Sequence, residues 1–278
     1  MHCSNEEAER ILDKEIPVLD HGFVRLVDYL GSDQRIVQAA RVSYGDGTKS
    51  YREDKGLINY LLRNEHTSPF EQVNFTFHLK MPIFVARQWV RHRTGRMNEI
   101  SGRYSVMKNE CYVPEVEDIC YQSKDNKQGR GNRLEPELAE NVRTCIQKQQ
   151  KHIFELYDSF IEMGVAKEIA RINLPLSMYT EFYWQMDLHN LLHFLGLRMD
   201  HHAQFEIREY ANAIFEIVKA VCPMTAEAFL EHKLMGGKIS KKEKNLISRI
   251  LQEINEEDIK AEGEFTARDF RILKEKLK

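Results

Sequence analysis

The 278-residue sequence contains no apolar run approaching the about 18 residues that a membrane-spanning helix needs. Its opening, Met-His-Cys-Ser-Asn-Glu-Glu-Ala-Glu-Arg, has neither the basic n-region nor the apolar core of a secretory leader, so a cytoplasmic location is expected. No Cys-x-x-Cys pair occurs, and the five cysteines (Cys3, Cys111, Cys120, Cys145 and Cys222) are odd in number and scattered. That argues against a zinc ribbon or a disulfide framework and makes reduced, buried thiols the expectation. Positive charge is not in excess. The 40 Lys and Arg against 43 Asp and Glu leave a net charge of −3, which excludes a globally basic coat for a nucleic-acid polymer. No internal repeat is present. No Gly-x-Gly-x-x-Gly precedes a helix, so the Rossmann route to a dinucleotide is missing.

What is present is 42% hydrophobic and 30% charged residues, a globular composition with enough chain for one large domain or two small ones. Ser32 ahead of 33–41 reads as a capped helix, and 55–63, with Leu57, Ile58, Leu61 and Leu62, as a second. Val73, Phe75, Phe77 and Leu79 alternate with Asn74, Thr76, His78 and Lys80, the period of a strand with one buried face. Pro82 marks the start of a helix over 83–92. Residues 104–113 are β-prone, and the polar stretch 121–133, with Gly129 and Gly131, reads as a mobile loop.

From 135 to 162 the spacing predicts one long helix stopped by Gly164, then a shorter helix to Asn173 before Pro175. Asp187 can cap a helix running to about Leu197. The strongest amphipathic stripe, Tyr210, Ile214, Ile217, Val218 and Val221, lies in 203–221 and is closed by Pro223. Beyond Gly236 and Gly237 the composition shifts to Lys and Glu, and Ser240-Lys-Lys-Glu243 is a capping box for a further helix. Helices and strands do not alternate as βαβ units. The expected fold is therefore α+β, an antiparallel sheet flanked by several long helices, with 1–235 as the main domain and 236–278 as a charged helical extension.

The chemistry concentrates in 87–104, Arg-Gln-Trp-Val-Arg-His-Arg-Thr-Gly-Arg-Met-Asn-Glu-Ile-Ser-Gly-Arg-Tyr. Five arginines against one glutamate give it a local net of +4 inside an acidic chain. Arginine suits bidentate recognition of phosphate. Gln88 and Arg91 share a face if the segment is helical, and the backbone amides of Ser101-Gly102-Arg103 can approach an anion. A merely solvated basic surface has no use for the interleaved Trp89, His92 and Glu99, so the pattern points to a nucleotide pocket.

Arg91-His92-Arg93, seven residues, then Ser101 is similar to the signature of the flavin-dependent thymidylate synthases. Its flanks match too, Pro82-Ile-Phe-Val-Ala-Arg-Gln-Trp before it and Asn98-Glu-Ile-Ser-Gly-Arg-Tyr-Ser105 after it. Four more segments resemble that family in the same order: Ala39-Ala-Arg-Val-Ser43, His66-Thr-Ser-Pro-Phe-Glu71, Ala170-Arg-Ile-Asn-Leu-Pro175 and Leu197-Arg-Met-Asp-His-His-Ala-Gln204. The similarity covers roughly residues 20 to 230. It implies a homotetrameric fold of the thymidylate synthase-complementing type, with active sites shared between subunits and no nucleic-acid polymer or membrane as partner. The implied reaction is reductive methylation of dUMP to dTMP, with 5,10-methylenetetrahydrofolate as carbon donor, FAD as hydride carrier and NADPH as reductant.

The same resemblance assigns dUMP to Gln88, Arg91, Glu99, Ser101, Gly102, Arg103, Arg171 and Arg198. Arg198 is the catalytic candidate, a fixed cation against the uracil edge on which charge grows; an ion pair with Asp200 or Glu206 is its plain alternative. FAD contacts carry over to Ser43, Ser68, Glu71, Arg91, His92, Arg93, Thr94, Glu99, Asp187, His189, His193 and His202. Asp187, His189 and His193 stand where the family often has Asn, Arg and Asn, so contacts to adenine and ribose differ there. Ser101 invites a nucleophile reading, but no base can be assigned to it from sequence order, and it is read as a substrate contact.

Two rivals remain. His189 and His193 have the i, i+4 spacing of helical metal ligands, with Asp200, His201 and His202 nearby, which suggests a metal hydrolase; the usual glutamate after the first histidine is replaced by Asn190. The arginine cluster on its own suggests an RNA-binding module. Flavin colour in the purified protein separates both from the thymidylate synthase.

Overall fold

Alternating apolar residues build the five-stranded antiparallel sheet on which the rest of the first unit is laid. In the computed structural model, which describes residues 5–42, 50–236, 239–252 and 267–276, the chain forms two units, 1–234 and 235–278. In chain order the first holds α1 (Glu6–Ile11), β1 (Glu15–Val18), β2 (Gly22–Leu30), α2 (Asp33–Arg41), α3 (Tyr51–Arg63), β3 (Asn74–Pro82), α4 (Ile83–Trp89) and β4 (Arg96–Glu99). There follow β5 (Cys120–Gln122), β6 (Arg130–Arg133), α5 (Pro136–Glu162), α6 (Lys167–Ala170), β7 (Tyr179–Asp187), α7 (Leu188–Arg198), α8 (Phe205–Val221) and α9 (Pro223–Phe229). The second unit holds α10 (Lys241–Gln252) and α11 (Ala267–Lys276).

The sheet order is β1-β2-β3-β7-β4, every neighbour antiparallel. Leu26, Phe77, Trp184 and Met97 stand abreast across four strands. This apolar face packs in one core with the stripe of α8 (Tyr210, Ile214, Ile217, Val218 and Val221) and with Leu191, Phe194 and Leu195 of α7. Removing such side chains from water is the main term holding the layers together, about 1.5–3 kcal/mol for each large one. A smaller cluster, Cys111, Phe154, Tyr157, Ala170 and Met178, ties α5 and α6 to the start of β7.

Several expectations meet their elements closely. α5 ends on Gly164 at φ 78°, where Val165 N–H bonds Phe160 C=O (2.9 Å) and Gly164 N–H bonds Ile161 C=O (3.0 Å). That double bond pattern needs a left-handed residue, and glycine takes it without a Cβ penalty. Asp187 caps α7 by accepting from Asn190 N–H at 2.9 Å. Ser240 and Glu243 form the reciprocal box ahead of α10. α3 starts at Tyr51, earlier than the apolar spacing shows, because Ser50 and Glu53 make their own capping box. The four described cysteines are all free thiols.

Other expectations are corrected. Residues 121–133 are not a mobile loop: β5 and β6 pair as a hairpin, and its Arg130 bonds the buried Glu206. Residues 104–113 form no strand beyond a single bridge, Cys111 to Met178, because β4 takes that side of β7. α4 stops at Trp89 rather than running to His92. Pro223 sits in the first turn of α9, where a missing N–H costs nothing, and so opens a helix as well as closing one. β1, β2, β4 and β7 go beyond the strand expected at 73–79.

Candidate active site

The arginine-rich segment is held by its tryptophan. Trp89 is fully buried and packs edge-on against Trp184 (5.2 Å between centroids), with Phe194 at 4.4 Å. It therefore belongs to the core and cannot line a pocket, which corrects the reading of Trp89 as part of the nucleotide site. Its effect is positional: anchoring the end of α4 delivers Arg91, His92, Arg93 and Thr94 to the surface immediately outside the core. Gly95 then passes so close to Trp184 that an added Cβ would lie 2.3 Å from its Nε1. Only a hydrogen fits there, so the position at which the backbone enters β4 takes glycine.

The first group of candidate residues surrounds the end of α7. Arg198 donates from Nε to Nε2 of His92 (3.0 Å) and from Nη2 to the Gln88 carbonyl (3.2 Å). Neither suspected ion pair forms: Asp200 is taken by His202 (2.8 Å) and Glu206 by Arg130. Burial, then the Arg198 charge and His193, hold the His92 imidazole down to about 4, so it is neutral and free to accept at Nε2. Burial also lowers Arg198 from its ordinary value, the mark of a partly desolvated guanidinium. His193 lies with its ring 6.4 Å from that of His92. The turn carrying Ser68 and Glu71 packs against α7, with Glu71 accepting from Thr67 (3.3 Å). Asp187 is committed to its cap, both carboxylate oxygens being taken by Asn190. His189 is half-buried on the first turn of α7.

Among the described residues, Arg87, Arg91, Arg93 and Arg96 have no carboxylate within salt-bridge distance and are exposed. An acidic chain that leaves four neighbouring guanidiniums unpaired, beside a neutral imidazole and a half-buried arginine, offers donors without acceptors. That donor set fits a diphosphate-bearing dinucleotide and a nucleotide monophosphate.

The second group lies around the segment after β4. Glu99 accepts from Thr180 Oγ1 at 2.5 Å. An added Cβ on Gly102 would lie 3.1 Å from Cδ of Arg171, so the Ser-Gly-Arg turn sits directly on that arginine. Arg103 pairs with Glu168 at 3.2 Å, both exposed, and Tyr157 accepts from Met107 N–H at 3.0 Å, fixing the turn to α5. Ser101 Oγ meets only the Arg103 N–H (3.3 Å) and no base among the described residues. Ser43 lies outside the described residues. Among the described residues, no hydrogen bond or ion pair joins this group to the first.

The helical metal pair does not assemble. The described residues with ligand atoms gathered within 4.8 Å are Asp200, His201 and His202, three consecutive exposed positions without His189 or His193. Two polar residues were missed. Gln204 bonds Gln88 (2.5 Å) and Glu206 (2.7 Å), and Glu206 is only 2% exposed. The signal was available: a carboxylate one turn before Tyr210, inside the apolar stripe, needs partners.

Residues 25–224 match the family of thymidylate synthase complementing proteins. The flavin-dependent thymidylate synthase of Treponema denticola is 61% identical over 241 residues, 86% of this chain and 91% of the relative. That of Treponema pallidum is 56% identical, over 87% of this chain and 80% of its own length. Among solved structures, the UMP/dUMP methylase PolB of Streptomyces cacaoi bound with 5-Br dUMP superposes with a TM-score of 0.72 at 33% identity, covering 79% of this chain and 99% of its own.

Proposed function

The chain belongs to the flavin-dependent thymidylate synthases, the thymidylate synthase complementing family, and from that membership we propose how its own residues divide the work. It is a methyltransferase that converts dUMP to dTMP reductively. When bound, FAD supplies hydride chemistry, with NADPH as its reductant and 5,10-methylenetetrahydrofolate as the one-carbon source.

The observation that carries the assignment is Arg198, held by His92 and the Gln88 carbonyl with no carboxylate partner among the described residues. A guanidinium fixed by neutral acceptors keeps its full charge for the ligand. Placed against the uracil ring, it stabilises negative charge as that ring is activated, without reorganising at the moment of reaction. Arg91, Glu99, Ser101, Gly102, Arg103 and Arg171 bind dUMP with Gln88, the arginines taking the phosphate and Glu99 a ribose hydroxyl. Ser43, Ser68, Glu71, His92, Arg93, Thr94, His189, His193 and His202 contact FAD, with Arg91 and Glu99 shared between the two ligands. Asp187 contributes the helix start it caps rather than a free carboxylate.

The active protein is a homotetramer in this reading. α5 spans Pro136–Glu162 yet leaves Leu138 and Leu156 exposed, and Ile169, Ile172 and Leu176 are exposed nearby. Exposed apolar residues on α5 and beside it support a subunit interface on that side, and the two separate groups of site residues on one chain suit sites completed by a neighbour. The extension from 236 onward lies outside the catalytic domain, and the match to the family ends at 224. No described helix is long and apolar enough to cross a membrane, and the free thiols suit a reducing compartment, the cytoplasm.

The test is oxidation of photoreduced flavin on the purified protein. With methylenetetrahydrofolate present it should depend on dUMP and yield dTMP. A colourless protein that cannot be reconstituted with FAD overturns the reading.

A further inference from the structure

Glu206 is the most deeply buried carboxylate of α8, 2% exposed, and no step above uses it. Its Oε1 accepts from Arg130 of the hairpin and from Tyr112 OH at 3.2 Å, and its Oε2 accepts from Gln204 Nε2 at 2.7 Å. Gln204 Oε1 then accepts from Gln88 Nε2 at 2.5 Å, and Gln88 holds Arg198 through its backbone carbonyl.

The direction of this relay follows from chemistry. A side-chain amide can be turned over by 180° with little change in shape, so its donor and acceptor ends are decided by its partners. A carboxylate facing a guanidinium and a phenol O–H accepts and does not donate. It therefore obliges Gln204 to point its NH2 inward and its oxygen outward. That oxygen in turn obliges Gln88 to present its NH2 to Gln204. The Gln88 side-chain oxygen is left as the open atom, and it has no hydrogen bond among the described residues.

We propose that Glu206 is a positioning residue that sets the hydrogen-bonding polarity of the nucleotide site: through Gln204 it fixes Gln88 with its side-chain oxygen outward, an acceptor for an N–H or O–H donor of the bound nucleotide. This rests on the assignment of Gln88 to the dUMP site. In Glu206→Gln the new amide keeps its oxygen toward Arg130 and Tyr112 and turns its NH2 to Gln204, so the relay reverses and Gln88 presents its NH2 to a ligand group that also donates.

The test is dUMP affinity of the flavin-loaded protein by calorimetry. Glu206→Gln should weaken dUMP binding about tenfold, with FAD affinity changed less than twofold. Gln204→Leu breaks the relay while sparing the bonds of Glu206 to Arg130 and Tyr112, and so covers the case in which Glu206→Gln fails to fold; it leaves the Gln88 amide free to take either orientation and should weaken dUMP binding about twofold. The double variant should be no weaker than the worse single, because both cut one chain. The exchange Gln88→Glu with Glu206→Gln should bind dUMP at least threefold better than Gln88→Glu alone, since Gln204 can then turn and donate to residue 88. A merely structural Glu206 would lower thermal stability but leave dUMP affinity intact and give no such rescue; either of the last two results for a folded variant overturns the proposal. Wild-type protein that fails to bind dUMP would overturn the site assignment itself. A 2′,3′-dideoxy nucleotide and an N3-methylated uracil then tell which donor is read: the analogue lacking it should bind wild type and Gln204→Leu equally.

Discussion

Arg198 and His92 are joined by a hydrogen bond of 3.0 Å in which the arginine Nε donates and the imidazole Nε2 accepts. The bond requires a neutral ring and places its proton on Nδ1. It spans two elements far apart in sequence, the turn after α4 and the last turn of α7. It explains how a half-buried cation is held with no carboxylate partner among the described residues.

Arg198→Ala should therefore leave FAD bound and lower kcat by on the order of 10²–10³-fold, the usual loss for a preorganised electrostatic group. Flavin absorbance and steady-state dTMP formation are the measurements. Near-normal turnover removes Arg198 from its role.

The pH response of His92 has a definite sign. Burial and the Arg198 charge hold it near 4 in the folded protein, against the ordinary 6.5. Between those values the unfolded chain binds the extra proton and the folded one does not, so stability rises with pH across that window. The contribution is complete above 6.5 and lost as pH falls through about 4. The unfolding midpoint of wild type should drop more steeply from pH 6.5 to 4.5 than that of His92→Gln. Parallel curves would contradict the assigned shift.

Gly95→Ala should cost about 1–3 kcal/mol, since the new methyl meets the ring of a buried tryptophan that has no room to move. The displaced loop carries Arg91 to Thr94, so FAD affinity should fall as well. Denaturant titration and flavin release report the two effects separately.

Ser101→Ala should raise KM for dUMP by up to about tenfold and leave kcat within about threefold, the loss of one ordinary hydrogen bond. Abolished turnover with dUMP still bound would make Ser101 more than a contact.

Ending the chain after residue 235 should leave dTMP formation and FAD binding within about twofold of the full chain. A loss of either would draw the extension into the catalytic domain.

Local chemistry alone placed much of this fold. Gly164 and the caps at Asp187 and Ser240 act within a few residues of themselves, and the alternation in β3 and the stripe of α8 are periodic signals that survive without context; Ser32, read as a cap in the same way, makes no side-chain cap bond. β7 carries the same signal, since Phe182, Trp184 and Met186 alternate with Tyr183, Gln185 and Asp187, but no turn separates it from α7, which starts at Leu188. The hairpin at 121–133 was not readable: its sequence is polar and exposed, and it is held through Arg130 by a carboxylate more than seventy positions away.

The sequence by itself determined the family, the reaction and the residue types of the site, because ordered motifs and a local excess of arginine are written along the chain. Only the tertiary structure decided which partner each takes: that Trp89 is core and not pocket wall, that Arg198 bonds His92 rather than Asp200 or Glu206, and that Glu206 faces Gln204. Hydrogen bonds fall off within a few tenths of an ångström and with angle. Choosing among acceptors distant in sequence therefore depends on how the helices pack over the sheet, which no local spacing encodes.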